Sequence, residues 1–410
     1  MYRMKKLLFL VITLLISMIA FIGCSSGNKQ PASEPTPTIT MAPTAAPTLA
    51  PTPTPVPVDY KTVVIKDVYA DYFKVGAILN GYLIKQDSYK ELVKTNFNSL
   101  TTENEMKPDS LLDYQTSISD PKYDESPAIT FRNADAIIKF AQDNGIKMRG
   151  HTLIWHSQTP SWLFTVGYSK DANAPLVTRE VMLKRMENYI KQVLEYAQTN
   201  YPDVFYAWDV VNEAIQPSDG QVDGLRTETS MWYKVVGEDY IERAFEYARK
   251  YATPGVKLFY NDYSTEDPAK IVAIKKLATK LIEQGTIDGI GMQTHIKVDS
   301  PSLSVLDESV RAYAKLELEL QVTELDVGMA TNTEEDFMKQ ATRYKRLFLY
   351  FQKWKEGGIN LTSVTFWGTT DDRSWLNTGN APSYPLLFNK DLTKKPAYYG
   401  AIQDPEIPLY

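Results

Sequence analysis

The chain has 410 residues, of which 43% are hydrophobic, enough for one large α/β barrel of roughly 250 residues or more plus additional segments. Its formal net charge is −6 with acidic and basic residues interspersed, so it lacks the basic patch or stripe of a nucleic-acid-binding protein, and we expect an uncharged substrate. The only cysteine, Cys24, excludes a disulfide framework.

Residues 1–23 have the pattern of an export signal. Three basic residues among the first six precede an uncharged apolar stretch at 7–22, and a glycine stands before Cys24. This resembles a bacterial lipoprotein signal, although Phe21 occupies a position that usually carries Leu. It predicts a lipidated Cys24 and a location at the outer face of the bacterial membrane. The alternatives are secretory cleavage or an uncleaved anchor helix, for which the stretch is short, since a bilayer core requires roughly 20 residues.

The segment after the signal predicts a linker. Residues 31–58 are dominated by Pro and Thr, a composition that cannot bury enough apolar surface to fold and that favours extended polyproline conformations. We therefore expect a disordered linker at 24–58 and one folded domain at 59–410. No appended sugar-binding module is indicated.

Short apolar runs in the folded domain predict buried parallel strands. The runs are 73–79, 97–101, 146–150, 204–211, 256–260, 289–293, 316–323 and 361–367. Helical patterns separate them, for example at 132–143, where Ala134, Ile137, Ile138 and Ala141 share one face and Gly145 gives a stop signal, and at 180–197. Eight strands alternating with helices predict a closed (β/α)8 barrel, the TIM barrel.

Two glutamates stand at the ends of such runs. Glu213 follows the fourth run and Glu324 the seventh. The carboxyl ends of barrel strands meet at the face that carries active sites, so we expect both side chains at one mouth. Facing carboxylates can hydrolyse a glycosidic bond, because one protonates the leaving oxygen while the other attacks or activates water. The alternative, two solvated strand-end residues, accounts less well for two matched ends with polar neighbours.

All three histidines also lie at strand ends, at positions 151, 156 and 295. We expect His156 to be structural, and His295 to orient the carboxylate of Glu324 with the help of Asp326. A catalytic zinc would favour closely spaced ligands such as His-Glu-x-x-His. His151 and His156 are five residues apart without an intervening carboxylate, so we expect no metal and no cofactor.

Five motifs stand at or beside the strand ends: Gly-His-Thr-Leu-Ile-Trp-His at 150–156, Trp-Asp-Val-Val-Asn-Glu-Ala at 208–214, Gln-Thr-His at 293–295, Thr-Glu-Leu-Asp at 323–326 and Phe-Trp-Gly at 366–368. Together they resemble glycoside hydrolase family 10, the endo-β-1,4-xylanases, although Thr369 stands where the family often has Val. The resemblance covers roughly 75–399. It implies a retaining mechanism with Glu213 as acid/base and Glu324 as nucleophile. It also implies that the xylose-binding subsites are lined by Glu103, Asn104, Lys107, His151, Trp155, Gln158, Asn212, Tyr263, Gln293, His295, Trp367 and Trp375.

The resemblance implies that xylan and xylo-oligosaccharides are the binding partners. Two alternatives remain open. A related retaining hydrolase acting on β-1,4-glucan or mannan would be expected to lack the polar set Lys107, His151 and Gln158. A lipoprotein that binds polysaccharide without cleaving it would be expected to lack Glu213 or Glu324. A self-sufficient barrel predicts a monomer.

Overall fold

The apolar runs predicted as strands form one closed parallel sheet. The computed structural model describes residues 58–220, 222–329, 331–378 and 381–409. Its strands are β1 (Lys74–Leu79), β2 (Ser99–Thr102), β3 (Lys147–Trp155), β4 (Phe205–Asn212), β5 (Lys257–Asp262), β6 (Gly289–Met292), β7 (His295–Lys297), β8 (Glu319–Gly328) and β9 (Leu361–Phe366). Parallel pairing runs from β1 to β6, then through β8 and β9 back to β1. The predicted (β/α)8 barrel is confirmed.

Helices connect the strands and cover the outside of the barrel. They are α1 (Ile65–Val68), α2 (Asp87–Asn96), α3 (Pro108–Leu111), α4 (Tyr114–Ser117), α5 (Asp135–Asp143), α6 (Arg179–Asn200), α7 (Met231–Val236), α8 (Tyr240–Tyr251), α9 (Pro268–Glu283), α10 (Leu303–Ala314), α11 (Glu334–Glu356) and α12 (Pro396–Ala401). Short 3-10 turns lie at Leu83–Lys85, Pro121–Tyr123, Ser161–Phe164, Val166–Tyr168, Pro217–Asp219, Val222–Gly224 and Asp371–Arg373. The helices predicted at 132–143 and 180–197 are α5 and α6.

The prediction for α5 agrees with the structure in its buried face and its end. The predicted face of Ala134, Ile137, Ile138 and Ala141 is completely buried. Gly145 has a φ of 66°, the left-handed conformation of a helix stop. The helix starts three residues later than predicted, because Ala134 N–H donates to the Phe131 carbonyl in a separate turn.

Two strands extend well beyond the predicted runs, and one was not predicted. β3 continues to Trp155 and β8 to Gly328, past the first polar residues of the barrel mouth. The three-residue strand β7 pairs in parallel with the upper part of β8, His295 opposite Asp326. The apolar pattern ends where the strands enter the mouth, but their backbone pairing continues, so hydropathy alone placed the strand ends too early.

The interior of the barrel contains a buried ion pair below the mouth. Arg149 donates from Nη1 and Nη2 to the two carboxylate oxygens of Asp209, at 2.9 and 2.6 Å, and from Nε to Gln321 at 2.6 Å. His151 lies two residues further along β3, on the same face, and its Nδ1 is 2.9 Å from Asp209 Oδ2. Burial alone would raise the pKa of Asp209, but Arg149 and His151 hold it below its ordinary value. The Arg149–Asp209 ion pair, which lies below the barrel mouth, thus fixes the orientation of the His151 ring.

The N-terminal predictions fall outside this structure. The signal at 1–23, Cys24 and the linker at 24–58, except its last residue, lie outside the described residues. Within the described ranges, no helix is both long and apolar enough to cross a membrane.

Candidate active site

A cavity of about 540 Å³ opens at the carboxyl ends of the strands. It is lined by Glu103, Asn104, Lys107, His151, Trp155, Gln158, Asn212, Glu213, Tyr263, Ser264, Gln293, His295, Glu324, Trp367 and Trp375. The structure therefore brings together both candidate catalytic glutamates and every residue assigned to a subsite by resemblance. Ser264 was not predicted; its only signal was its place directly after Tyr263. Asp326 lies behind the wall, and His156 is not part of it.

The Glu213 side chain is held by neutral donors. Gln293 Nε2 donates to its Oε1 at 2.9 Å, and Trp155 Nε1 donates to its Oε2 at 3.0 Å. The backbone leaves the strand here in a left-handed conformation with a φ of 55°, and the carbonyl accepts from Arg226 Nε at 2.9 Å. Such conformations are uncommon for residues other than glycine and concentrate at functional sites. The turn directs the half-buried carboxyl group into the cavity.

The Glu324 side chain is held by a cation and an amide. It is 5% exposed; Asn261 Nδ2 donates to its Oε1 at 2.8 Å, and His295 Nε2 lies 3.2 Å from its Oε2. The other ring nitrogen of His295 lies 2.8 Å from Asp326 Oδ2.

These contacts keep Glu324 ionised. Burial by itself would raise the pKa of Glu324, but the hydrogen bonds from His295 and Asn261 and the nearby positive charge outweigh burial and lower it. Burial would likewise lower the pKa of His295, yet the carboxylates of Asp326 and Glu324 raise it to about 10. His295 is therefore an imidazolium at neutral pH, and both of its ring nitrogens donate.

Amide side chains connect the two glutamates. The end of the Asn212 side chain lies 2.9 Å from Asn261 Nδ2, which also contacts Glu324, and 3.3 Å from Gln293 Nε2, which also contacts Glu213. Asn261 was not among the predicted site residues. Its place directly after the fifth predicted apolar run, 256–260, was the sequence signal that could have identified it.

A buried ion pair under Tyr263 was also missed. Lys270 Nζ lies 2.7 Å from Asp262 Oδ1 and donates to the Tyr263 carbonyl at 2.9 Å. Both charged side chains are buried, and burial raises the pKa of Asp262 to about 6 despite its contact with Lys270. Arg226 Nη2 donates to the Tyr263 hydroxyl at 2.9 Å. Together these contacts fix the Tyr263 ring in the cavity wall from below and from the side.

The three tryptophans of the wall differ in exposure. Trp375 is 51% exposed and donates from Nε1 to Asp326 Oδ2 at 2.9 Å, so core packing does not explain it. Trp155 is partly buried, with Lys107 Nζ 4.9 Å from its ring centroid, and Trp367 is largely buried against His151. Aromatic faces of this kind can stack on pyranose rings.

The polar end of the cavity is cross-linked around Asn104. Its Oδ1 accepts from Lys107 Nζ at 2.9 Å and from Gln158 Nε2 at 3.2 Å. Glu103 accepts from Asn80 Nδ2 at 2.8 Å. Among the described residues, no three His, Cys, Asp or Glu side chains are grouped so that they could share a metal ion. The cavity is therefore lined by three carboxylates, of which Glu213 and Glu324 have unlike hydrogen-bond partners, together with other hydrogen-bonding groups and aromatic faces.

Comparisons with known proteins agree with this arrangement. The family model for glycosyl hydrolase family 10 matches residues 64–404. The chain is 44% identical over 343 residues to endo-1,4-beta-xylanase B of Butyrivibrio fibrisolvens, covering 83% of this chain and 53% of that protein. It is 38% identical over 356 residues to beta-1,4-xylanase of Dictyoglomus thermophilum, covering 83% of this chain and 90% of that protein.

A solved structure agrees as well. The N-terminal modules of endo-1,4-beta-D-xylanase 10B of Clostridium thermocellum, complexed with xylohexaose, match with a TM-score of 0.75 and 36% identity, over 84% of this chain and 68% of that one. The chain spans about half the length of the Butyrivibrio relative. The motifs, the barrel and the extent of the family match lead to one conclusion: the chain belongs to glycosyl hydrolase family 10.

Proposed function

We propose that the protein is an endo-1,4-β-xylanase that retains the anomeric configuration, with Glu213 as acid/base and Glu324 as nucleophile. The observation that carries the assignment of roles is the contrast between the two carboxylates. Glu324 is held ionised by the His295 imidazolium, whereas among the described residues Glu213 receives side-chain hydrogen bonds only from the uncharged Gln293 and Trp155. A carboxylate paired with a cation suits attack, and a carboxyl group without such a cation suits acid/base catalysis.

The proposed reaction has two steps. Glu213 protonates the leaving glycosidic oxygen while Glu324 attacks the anomeric carbon, which gives a covalent glycosyl-enzyme. Glu213 then removes a proton from water, which displaces Glu324 and restores the β configuration. The imidazolium of His295 stabilises Glu324 before attack and after its release, and Asn261 holds the other carboxylate oxygen in place.

Two observations support xylan as the substrate. The relatives reported above are named as xylanases, and the solved structure carries xylohexaose. The polar set expected of a xylanase, Lys107, His151 and Gln158, lies in the cavity wall beside the aromatic faces. The remaining candidates are hydrolysis of β-1,4-glucan or mannan and binding without cleavage.

Parallel reducing-sugar assays on xylan, cellulose and mannan test the substrate. We expect activity on xylan, and inactivity on all three polymers would contradict the proposal. Early-time proton NMR should detect the β anomer as first product, whereas the α anomer would exclude retention. Glu324→Ala should abolish activity and regain it with azide as an α-glycosyl azide. Glu335→Ala, an exposed change on α11, is the control that should keep wild-type activity.

We also propose that the enzyme is a monomer attached to the outer face of a bacterial membrane through a lipidated Cys24. The sequence of 1–24 and the Pro/Thr-rich segment after it support attachment. Two acyl chains give stable anchoring where one does not, because each buried methylene contributes about 0.8 kcal/mol. Secretion into the medium is the alternative.

A further inference from the structure

A second cavity, of about 310 Å³, lies outside the active site between the start of α10 and one face of α11. Three cationic side chains of α11 line it: Lys339, Arg343 and Arg346. It shares no lining residue with the cavity at the barrel mouth. Its chemistry is therefore independent of the proposed hydrolysis.

Arg343 is buried and has no counter-ion among the residues that the structure describes. The residue is 7% exposed; Nη2 donates to the Pro301 carbonyl, and Nε has no partner among the described residues. Burial, reinforced by the charge of Arg346, lowers the pKa of Arg343 to about 10. By contrast, Arg149, which is 1% exposed, is paired with both oxygens of Asp209. Buried arginines are rarely found without a counter-ion, so the Arg343 site is electrostatically incomplete.

The start of α10 provides further hydrogen-bond donors at this cavity. Ser302 and Leu303, at the start of the twelve-residue helix α10, line the opposite side. Ser302 caps the helix by accepting from Val305 N–H, while first-turn N–H groups such as that of Leu303 have no intrahelical acceptor. A helix N-terminus of this kind attracts anions.

One carboxylate opposes this positive field. Asp299 is exposed and lines the same cavity, and its charge acts on Arg343 without forming an ion pair with it. Lys339 is partly neutralised by Glu335, 2.7 Å away. Two guanidinium groups and a helix N-terminus therefore face one solvent-exposed carboxylate.

We propose that this cavity binds a small oxyanion. Arginine forks recognise carboxylate and phosphate oxygens, and the volume admits a small ion with part of its hydration shell. Inorganic phosphate and the carboxylate of a uronate sugar are two sources of this chemistry. The oxyanion would accept from the Arg343 guanidinium and the first turn of α10, while Arg346 adds charge.

The test measures the melting temperature of the full chain during separate titrations with sodium phosphate and sodium glucuronate. Sodium chloride at equal ionic strength is the reference. We expect a saturable rise above the chloride curve for at least one anion, because a ligand that binds only the folded state stabilises it. A rise with phosphate alone, with glucuronate alone or with both would support the site, and would show which anion it binds.

Variants test the location without removing the buried Arg343. Arg346→Gln should weaken binding at least tenfold, because it removes a cationic side chain that lines the cavity. Asp299→Asn should tighten binding because it removes the opposing charge. Arg311→Gln, an exposed change of equal charge on α10, is the matched control and should leave binding unchanged. The proposal is overturned if neither anion acts beyond chloride, if Arg346→Gln and Arg311→Gln behave alike, or if Asp299→Asn weakens binding.

Discussion

Replacing His295 by Gln should move the acidic limb of the pH–activity profile upward by about one to three pH units. The His295 imidazolium lies 3.2 Å from the carboxylate of Glu324, and Glu324 has to be ionised to attack. At this distance and an effective dielectric constant of about 20, Coulomb's law gives about 5 kcal/mol, which corresponds to about 4 pH units. That is an upper bound, because Asn261 remains bound to Glu324 and the variant no longer buries a cation.

The measurement is kcat/KM for an aryl xyloside between about pH 3 and 9, since this parameter reports ionisations of the free enzyme. His156→Gln is the matched control. Burial lowers the pKa of His156 to about 4, so the ring is neutral over most of this range and its loss removes no charge. If both variants keep the wild-type acidic limb, or if both move it equally, the charge of His295 does not set the ionisation of Glu324.

The remaining predictions concern the acid/base group, the buried ion pair and the N-terminus. Glu213→Gln should lose far more activity on xylan than on a substrate with an activated aryl leaving group, because such a group needs no proton; equal losses on both substrates would identify another residue as the acid. Lys270→Met should lower the free energy of unfolding by about 3–5 kcal/mol at pH 7, because it leaves Asp262 buried without its cation. Lys276→Met breaks an exposed pair on the same helix and should cost less than about 1 kcal/mol. Urea unfolding followed by tryptophan fluorescence compares the two, and equal losses would refute the argument. Cys24→Ser should release activity from the membrane fraction or leave an unprocessed precursor with unchanged turnover; wild-type activity found wholly in cell-free medium would favour secretion.

The barrel could be predicted because strands buried on both faces form continuous apolar runs. The same rule explains the errors at β3 and β8. His151 and Thr152 are polar, yet both are buried within β3, because Asp209 offers a side-chain oxygen to one and its carbonyl oxygen to the other. The hydropathy of a segment contains no information about a hydrogen-bond partner on another strand.

In the candidate site too, the sequence did not reveal residues whose partners are brought close only by folding. Glu213 and Glu324 could be found because each ends an apolar run within a recognisable motif. Lys270 could not, because it belongs to a helix and a buried lysine is exceptional unless its partner is known. Its partner, Asp262, lies eight residues earlier, and only the folding of α9 back onto β5 brings them together. The roles of the site residues and of Cys24 stay predictions, testable by the experiments above.

The amide connection between the glutamates has a consequence for heat inactivation. Its members come from β4, β5, β8 and the segment directly after β6, which are consecutive around the closed sheet. A slip of one residue in any of these strands would turn its side chain away from the cavity. Each molecule either keeps the strand register, and with it the hydrogen bonds between the glutamates, or loses both. We therefore expect a heated molecule to be either fully active or inactive. Residual activity after heating should report the fraction of molecules with an intact barrel, which makes turnover a probe of local unfolding.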